Sequence, residues 1–200
     1  MNDLLDLLNS PAGKQIVAGV TRHSNARPEQ TEQALDVALP ALVTALARNA
    51  RDPEGARNLH RAVQNDHDGR ILDQVRDLAQ NPAQGPGAGI LNHVLGGRRD
   101  QVERAVSKRS GLDAQNTAQL METLAPVVLG MLGKQQKSRG LDPNGLAGLL
   151  GGMKQEAERA EPKQMSLIEN LIDSDDDGSI ADDIATMGVN LLGNLMKGRR

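Results

Sequence analysis

Phenylalanine, tyrosine, tryptophan and cysteine are all absent from the 200 residues of this chain. Without cysteine there is no disulfide framework, no thiolate ligand for zinc and no thiol nucleophile. Without aromatics the chain lacks the rings on which single-stranded nucleic acids stack and the tryptophan and tyrosine anchors common in interface hot spots. Long apolar runs are missing too, and the longest, 124–133, falls far short of the ~20 residues that cross a bilayer. The opening stretch MNDLLDLLNSPAGK carries Asp3 and Asp6 where a secretory leader carries Lys or Arg. A net charge of −3 and a pI near 5.8 give no global attraction to phosphate. These absences predict a soluble, cytoplasmic chain with no membrane partner. Its core must be made from Leu, Val, Ile, Met and Ala, and the density of Leu and Ala favours helices.

What is present is a repeat. Residues 31–50 and 117–136 align with a proline inside each apolar stretch, and Thr31 meets Thr117, Leu35 meets Met121, Pro40 meets Pro126, Leu42 meets Val128 and Leu46 meets Leu132, each pair 86 residues apart. After a four-residue insertion DPEGARNLHRAV from Asp52 reads against DPNGLAGLLGGM from Asp142, an offset of 90. This is an internal duplication. It predicts an all-α fold of two tandem helical repeats, 1–80 and 90–160, joined by a linker at 81–89. A C-terminal helix, Asp-rich loop and helix follow over 161–200. A unit of this length is large enough to bury a modest core of its own.

In chain order, Leu4, Leu5, Leu7 and Leu8 open a short amphipathic helix, and Ser10 with Pro11 starts the next one. Pro28 starts the long helix, whose apolar positions follow three- and four-residue spacing. Pro40 must kink that helix or break it in two, and the proline kept in both copies makes the kink a wall of the core. NPAQGPGAG, 81–89, reads as linker by composition. Asp113 is the N-cap of the second proline helix. Residues 156–162 read as a charged connector, followed by a helix over 166–172, an acidic loop, and a last helix with Ile180, Ile184, Met187, Leu191 and Leu195 on one stripe.

The strongest chemical signal is DSDDDGSIADDI, 173–184. Asp173, Asp175 and Asp177 fall at loop positions 1, 3 and 5, Gly178 permits the sharp turn at position 6, the Ser179 carbonyl adds a ligand, and Ile180 anchors the loop to the core. Position 12 is Ile184 where a calcium loop has a bidentate Glu, so Asp182 or Asp183 must close the shell. The loop predicts Ca²⁺ binding at the weak end, ~10⁻⁴ to 10⁻³ M. The simpler alternative is that the aspartates cap the last helix. Capping does not need the six carboxylates present, which repel one another unless a cation neutralises them.

A fainter copy of the spacing runs through Asp66, Asp68, Gly69, Ile71 and Asp73, with Gln64 in place of the first aspartate and Arg70 inserted. It reads as a capped helix start. His60 and His67 lie near it and read as solvated histidines, because no thiolate or second histidine cluster supports zinc. GPGAG lacks the GK[ST] ending of a phosphate loop. Arg98, Arg99, Arg104, Lys108 and Arg109 form the one basic helix, partly neutralised by Asp100 and Glu103, which disfavours nucleic acid as a partner.

The paired PEQTEQALDVALPALVTALARNA-type helices, the DHDG segment at Asp66 and the terminal DSDDDGSIADDI together make this chain resemble the bacterial family of domain of unknown function 937, related to the YidB-like proteins. The resemblance covers nearly the whole chain. It implies an all-helical bacterial protein with a homeodomain-like arrangement and brings no activity; Arg70 within the DHDG segment departs from the family pattern. The expected function is a non-enzymatic helical scaffold or binding protein with a Ca²⁺ loop and a protein partner. The alternative is a DNA-associated protein built from helix-turn-helix-like units.

Overall fold

Aspartates and prolines set where the helices begin. The computed structural model describes residues 11–23, 26–81 and 85–173, and every regular element among them is helical. They are α1 (Pro11–His23), α2 (Pro28–Asn49), α3 (Pro53–Asp66), a 3₁₀ turn at Arg70–Asp73, α4 (Val75–Gln80), α5 (Gly87–Leu95), a second 3₁₀ turn at Gly96–Arg98, α6 (Arg99–Ser110), α7 (Ala114–Arg139), α8 (Pro143–Ala160) and α9 (Pro162–Asp173). Asp52 accepts from the backbone N–H of Glu54 and Gly55 at 2.9 and 2.8 Å, and Asp113 and Asp142 accept from Asn116 and Gly145 at 2.8 and 2.7 Å. Each satisfies N–H groups that a helix start leaves without an internal partner. The helices expected over Leu4 to Leu8 and along the stripe from Ile180 lie outside the described residues.

Neither proline breaks its helix: α2 runs through Pro40 and α7 through Pro126. Each proline withholds the N–H that the carbonyl four residues earlier would have accepted. Both of those carbonyls meet a neighbour instead. The Asp36 oxygen accepts from Gln164 Nε2 of α9 at 2.7 Å. The Glu122 oxygen lies so close to the first residue of α5 that a β-carbon on Gly87 would sit 1.8 Å from it. This close approach explains why the glycine-rich stretch read as linker through Gly89 is helical from Gly87 onward. The charged stretch 156–160 is likewise helix, with Glu161 alone separating α8 from α9. One of its charges is used, since Glu158 pairs at 2.7 Å with Lys154 one turn back, which also binds Glu169 of α9 at 2.5 Å.

The paired positions of the proposed duplication are buried in both copies: Thr31 and Thr117 are each 0% exposed, and Leu35, Met121, Leu42, Val128, Leu46 and Leu132 lie at 3% or below. The two central helices touch each other, but their other neighbours are exchanged. Helix α2 packs chiefly on α6, α8 and α9, all from the second half of the sequence, whereas α7 packs on α1, α3 and α4 from the first half as well as on α5 and α6. A single hydrophobic cluster, from Ala34 through Ile172, joins the two halves.

One asymmetry between the copies has an energetic signature. The 86-residue offset puts Asp36 where the second copy has Glu122, and Gly13 where it has Arg99. Glu122 pairs with Arg99 at 2.7 Å, but the Asp36 carboxyl is raised above its ordinary pKa by burial and then by Glu32 and Glu161. A raised folded pKa favours the protonated acid, so its contribution is present below the unfolded pKa and turns unfavourable as pH rises through the folded one. Asp36→Asn therefore raises the thermal midpoint at neutral pH, and the gain fades as pH falls through the raised folded pKa and is gone below about pH 4. Asp36 is only partly buried, which limits the gain to about 0.5 kcal/mol. Thermal melts of both proteins across pH measure it.

Candidate functional site

The donor pattern of the acidic loop begins where a helix ends. Asp173 is the last residue of α9, and Ile172 before it is buried against the body of the protein. The other residues expected to hold calcium, Asp175, Asp177, Ser179, Asp182 and Asp183, lie outside the described residues.

Arg48, in the last turn of α2, donates to the Ile172 carbonyl oxygen and so ties the end of α9 to the end of α2. Asn49 beside it donates to the Val94 carbonyl at 3.1 Å and ties in the end of α5. Gly96 follows α5 with φ +57 and ψ −136, a conformation open to glycine and strained for any residue with a β-carbon. The chain then passes through the 3₁₀ turn into α6. Between these ends lies a cleft of about 120 Å³ lined by Arg48, Asn49, His93, Gly96, Arg98 and Ile172 over an apolar floor. Among the described residues that line it, none carries a carboxylate.

On the far side of α5 the basic helix is partly consumed by structure. Arg99 donates to Glu103 at 2.7 Å, to Glu122 at 2.7 Å and to Asn92 Oδ1 at 3.0 Å, with side chains no more than 18% exposed at the three charged residues. Of the cations expected on that face, Arg104, Lys108 and Arg109 are exposed, while Val102 and Val106 of the same helix are buried in the core.

The segment 66–73 brings its own cation. Asp68 accepts from the backbone N–H of Arg70 at 3.2 Å and pairs with its guanidinium at 2.9 Å, and these bonds hold its carboxyl below the usual range. Gly69, at φ +100, then turns the chain into the 3₁₀ segment. The segment seats on two glycines of α7: a β-carbon on Gly133 would sit 1.9 Å from the His67 carbonyl, and one on Gly130 would sit 2.4 Å from Ile71. The histidines are half-buried and not fully solvated as the sequence suggested. His60 Nε2 lies 2.7 Å from Gln136 Nε2 and 3.0 Å from the Leu141 carbonyl, because α3 lies on α7 and α8. His67 is half-buried, and burial lowers its pKa. Among the described residues no three His, Asp or Glu side chains converge as a metal site would require, and no helix is long and apolar enough to cross a membrane.

The cleft is the feature that sequence reasoning missed. Arg48, His93 and Arg98 come from two separated stretches, and the bond from Arg48 to Ile172 spans 124 residues. The available signal was the pair of basic side chains, Arg48 and His93, each in the last turn of its helix.

A family model described as a bacterial protein of unknown function, DUF937, matches residues 6–135, and the chain belongs to that family. The matched stretch ends inside α7, so it is shorter than the near-complete resemblance read from the motifs, and α8, α9 and the acidic loop lie beyond it. No curated protein and no solved structure matches the chain.

Proposed function

We propose that this DUF937 protein is a non-catalytic helical module that binds a protein partner in the cytoplasm, and that its loop at 173–184 takes Ca²⁺. The observation that carries the reading is that the alternating oxygen donors start at Asp173, the final residue of α9. A calcium loop likewise begins where its incoming helix ends. Asp173, Asp175 and Asp177 supply carboxylates, Ser179 its carbonyl, and Asp182 or Asp183 closes the shell. The cation removes the repulsion among the carboxylates and allows the last helix to dock.

Binding is then coupled to folding. At free calcium a hundred times the dissociation constant, a site present only in the folded state adds about 2.7 kcal/mol, which is about 5–10 °C in the midpoint for a chain of this size. Thermal unfolding followed by far-ultraviolet circular dichroism, in chelator and then in millimolar Ca²⁺, measures it. Asp173→Ala and Asp177→Ala abolish the shift, Asp68→Ala does not, and Mg²⁺ gives less because it holds its waters in a smaller octahedral shell. An unchanged midpoint returns the aspartates to helix capping.

The DNA-associated reading is the weaker one. Arg99 is engaged by Glu103 and Glu122, which leaves Arg104, Lys108 and Arg109 to face phosphate on a chain with net charge −3.

A further inference from the structure

Helices α6 and α9 lie side by side on α2, and both pack on it more closely than on each other. Val102 and Val106 of α6 and Met165, Ile168 and Ile172 of α9 are buried. A second flank of α6 goes to α7 through Arg99 and Glu122, and a second flank of α9 goes to α8 through Glu169 and Lys154. Two points fix the line along which the remaining flanks face each other. At one end Gln164 of α9 donates to the Asp36 carbonyl, and the Arg109 charge of α6 reaches the carboxyl of the same residue. At the other end Ile172 of α9 and Arg98, just before α6, line one cleft.

Three- and four-residue spacing between those ends assigns the lips of the seam. On α9 they are Gln164, Leu167 and Leu171, and on α6 Gln101, Arg104, Ala105 and Lys108. Leu167 is 66% exposed, the one large apolar side chain left exposed among the described residues. Leu171, one turn on, and Ala105, across the seam, are half-buried. Arg104, Lys108 and, one turn before Leu167, Lys163 are exposed, and none of the three forms an ion pair among the described residues. Exposed carboxylates stand at the ends of the seam, Asp100 at one and Glu32, Asp36 and Glu161 at the other.

We propose that the seam between α6 and α9 docks an acidic amphipathic helix of another protein, its apolar side chains on Leu167 and Leu171 and its carboxylates against Arg104, Lys108 and Lys163. From Gln164 to Leu171 the seam runs about 10 Å, two turns of such a helix. A second copy of the chain is the poorer occupant, because a two-fold contact sets the same cations against one another. The surface rests on the protein-partner reading, which it makes specific, and is independent of calcium.

The probe is a pair of synthetic peptides of roughly 14 residues with leucines in helical spacing and a single tryptophan, one carrying glutamates on its polar face and the other lysines in their place. The chain has no aromatic residue, so tryptophan emission reports the peptide alone. Titrated with the full-length protein in chelator at low salt, the acidic peptide shows a saturable blue shift and the basic one none. Leu167→Ser weakens acidic binding at least about tenfold, as the loss of one buried leucine requires, and NaCl at about 0.5 M also weakens it. The double variant Arg104→Glu/Lys108→Glu exchanges the preference and takes the basic peptide. All three positions are exposed, so the variants keep the native thermal midpoint. Acidic binding that is indifferent to both variants overturns this surface and leaves a peptide-binding protein. Refusal of both peptides overturns the surface and the protein-partner reading together. Equal binding of the two peptides overturns the acidic occupant, and a dimer in sedimentation that Leu167→Ser dissociates assigns the seam to a second copy and overturns it as well.

Discussion

Residues 1–84 produced alone have no stable fold as a monomer. Helix α2 buries twelve residues, among them Leu39, Leu42 and Leu46, and the helices that chiefly cover them, α6, α8 and α9, all belong to the other half. Cutting between α4 and α5 removes that cover. At about 25 cal/mol per Å² of apolar surface, exposing three leucines alone costs several kcal/mol, comparable with the whole stability of a typical domain. Mixed with residues 85–200, the fragment regains helix, and the complex shows one cooperative transition. Circular dichroism and sedimentation of each fragment and of the mixture measure this. A first half that is monomeric, helical and cooperatively unfolding on its own contradicts the exchanged packing.

Arg99→Ala has the largest expected effect of any single change considered for this protein. It leaves Glu103 and Glu122, each less than a fifth exposed, facing one another across a site built for a guanidinium. Removing one partner of a buried charged network costs about 3–5 kcal/mol, and the residual exposure lowers this to about 2–3 kcal/mol. The Tm then falls by about 4–12 °C. Arg99→Lys recovers only part of the loss, because one ammonium cannot present the fork that reaches two carboxylates and Asn92 together. Adding Glu122→Gln to Arg99→Ala recovers part of it as well, by removing a charge left without its cation. Urea melts of these four proteins and of Glu122→Gln alone, read by circular dichroism because the chain has no aromatic fluorophore, give the coupling.

Local chemistry made most of the helices legible in the sequence. Asp52, Asp113 and Asp142 announce their helix starts, and the three- and four-residue spacing of the apolar residues identifies α2 and α7 as long helices with a buried face. Spacing says that a face is covered without saying by what. The exchange of neighbours between halves was therefore invisible, and a tandem arrangement was the natural expectation. The same limit applied to Pro40 and Pro126, where a missing N–H was visible but the Gln164 amide and the Gly87 backbone that meet the freed carbonyls were not. Composition misled at both connectors: Gly87, in a stretch that looks like linker, is what lets α5 lie against α7, and the charges of 156–160 read as a connector although the helix they extend is held to α9 through Lys154. His60 gave no sequence signal of burial, because its cover comes from Gln136 and Leu141, far along the chain. At the candidate site the regular spacing of the aspartates was legible, whereas the basic cleft lined by Ile172 required the ends of three helices to be placed in space.

Titration calorimetry of the full-length, metal-free chain with CaCl₂ tests the functional reading most directly. The account predicts a saturable heat at one ion per chain with a dissociation constant of ~10⁻⁴ to 10⁻³ M, lost in Asp177→Asn and unchanged in Asp68→Asn. No saturable heat, or the same heat in Asp177→Asn, would contradict it.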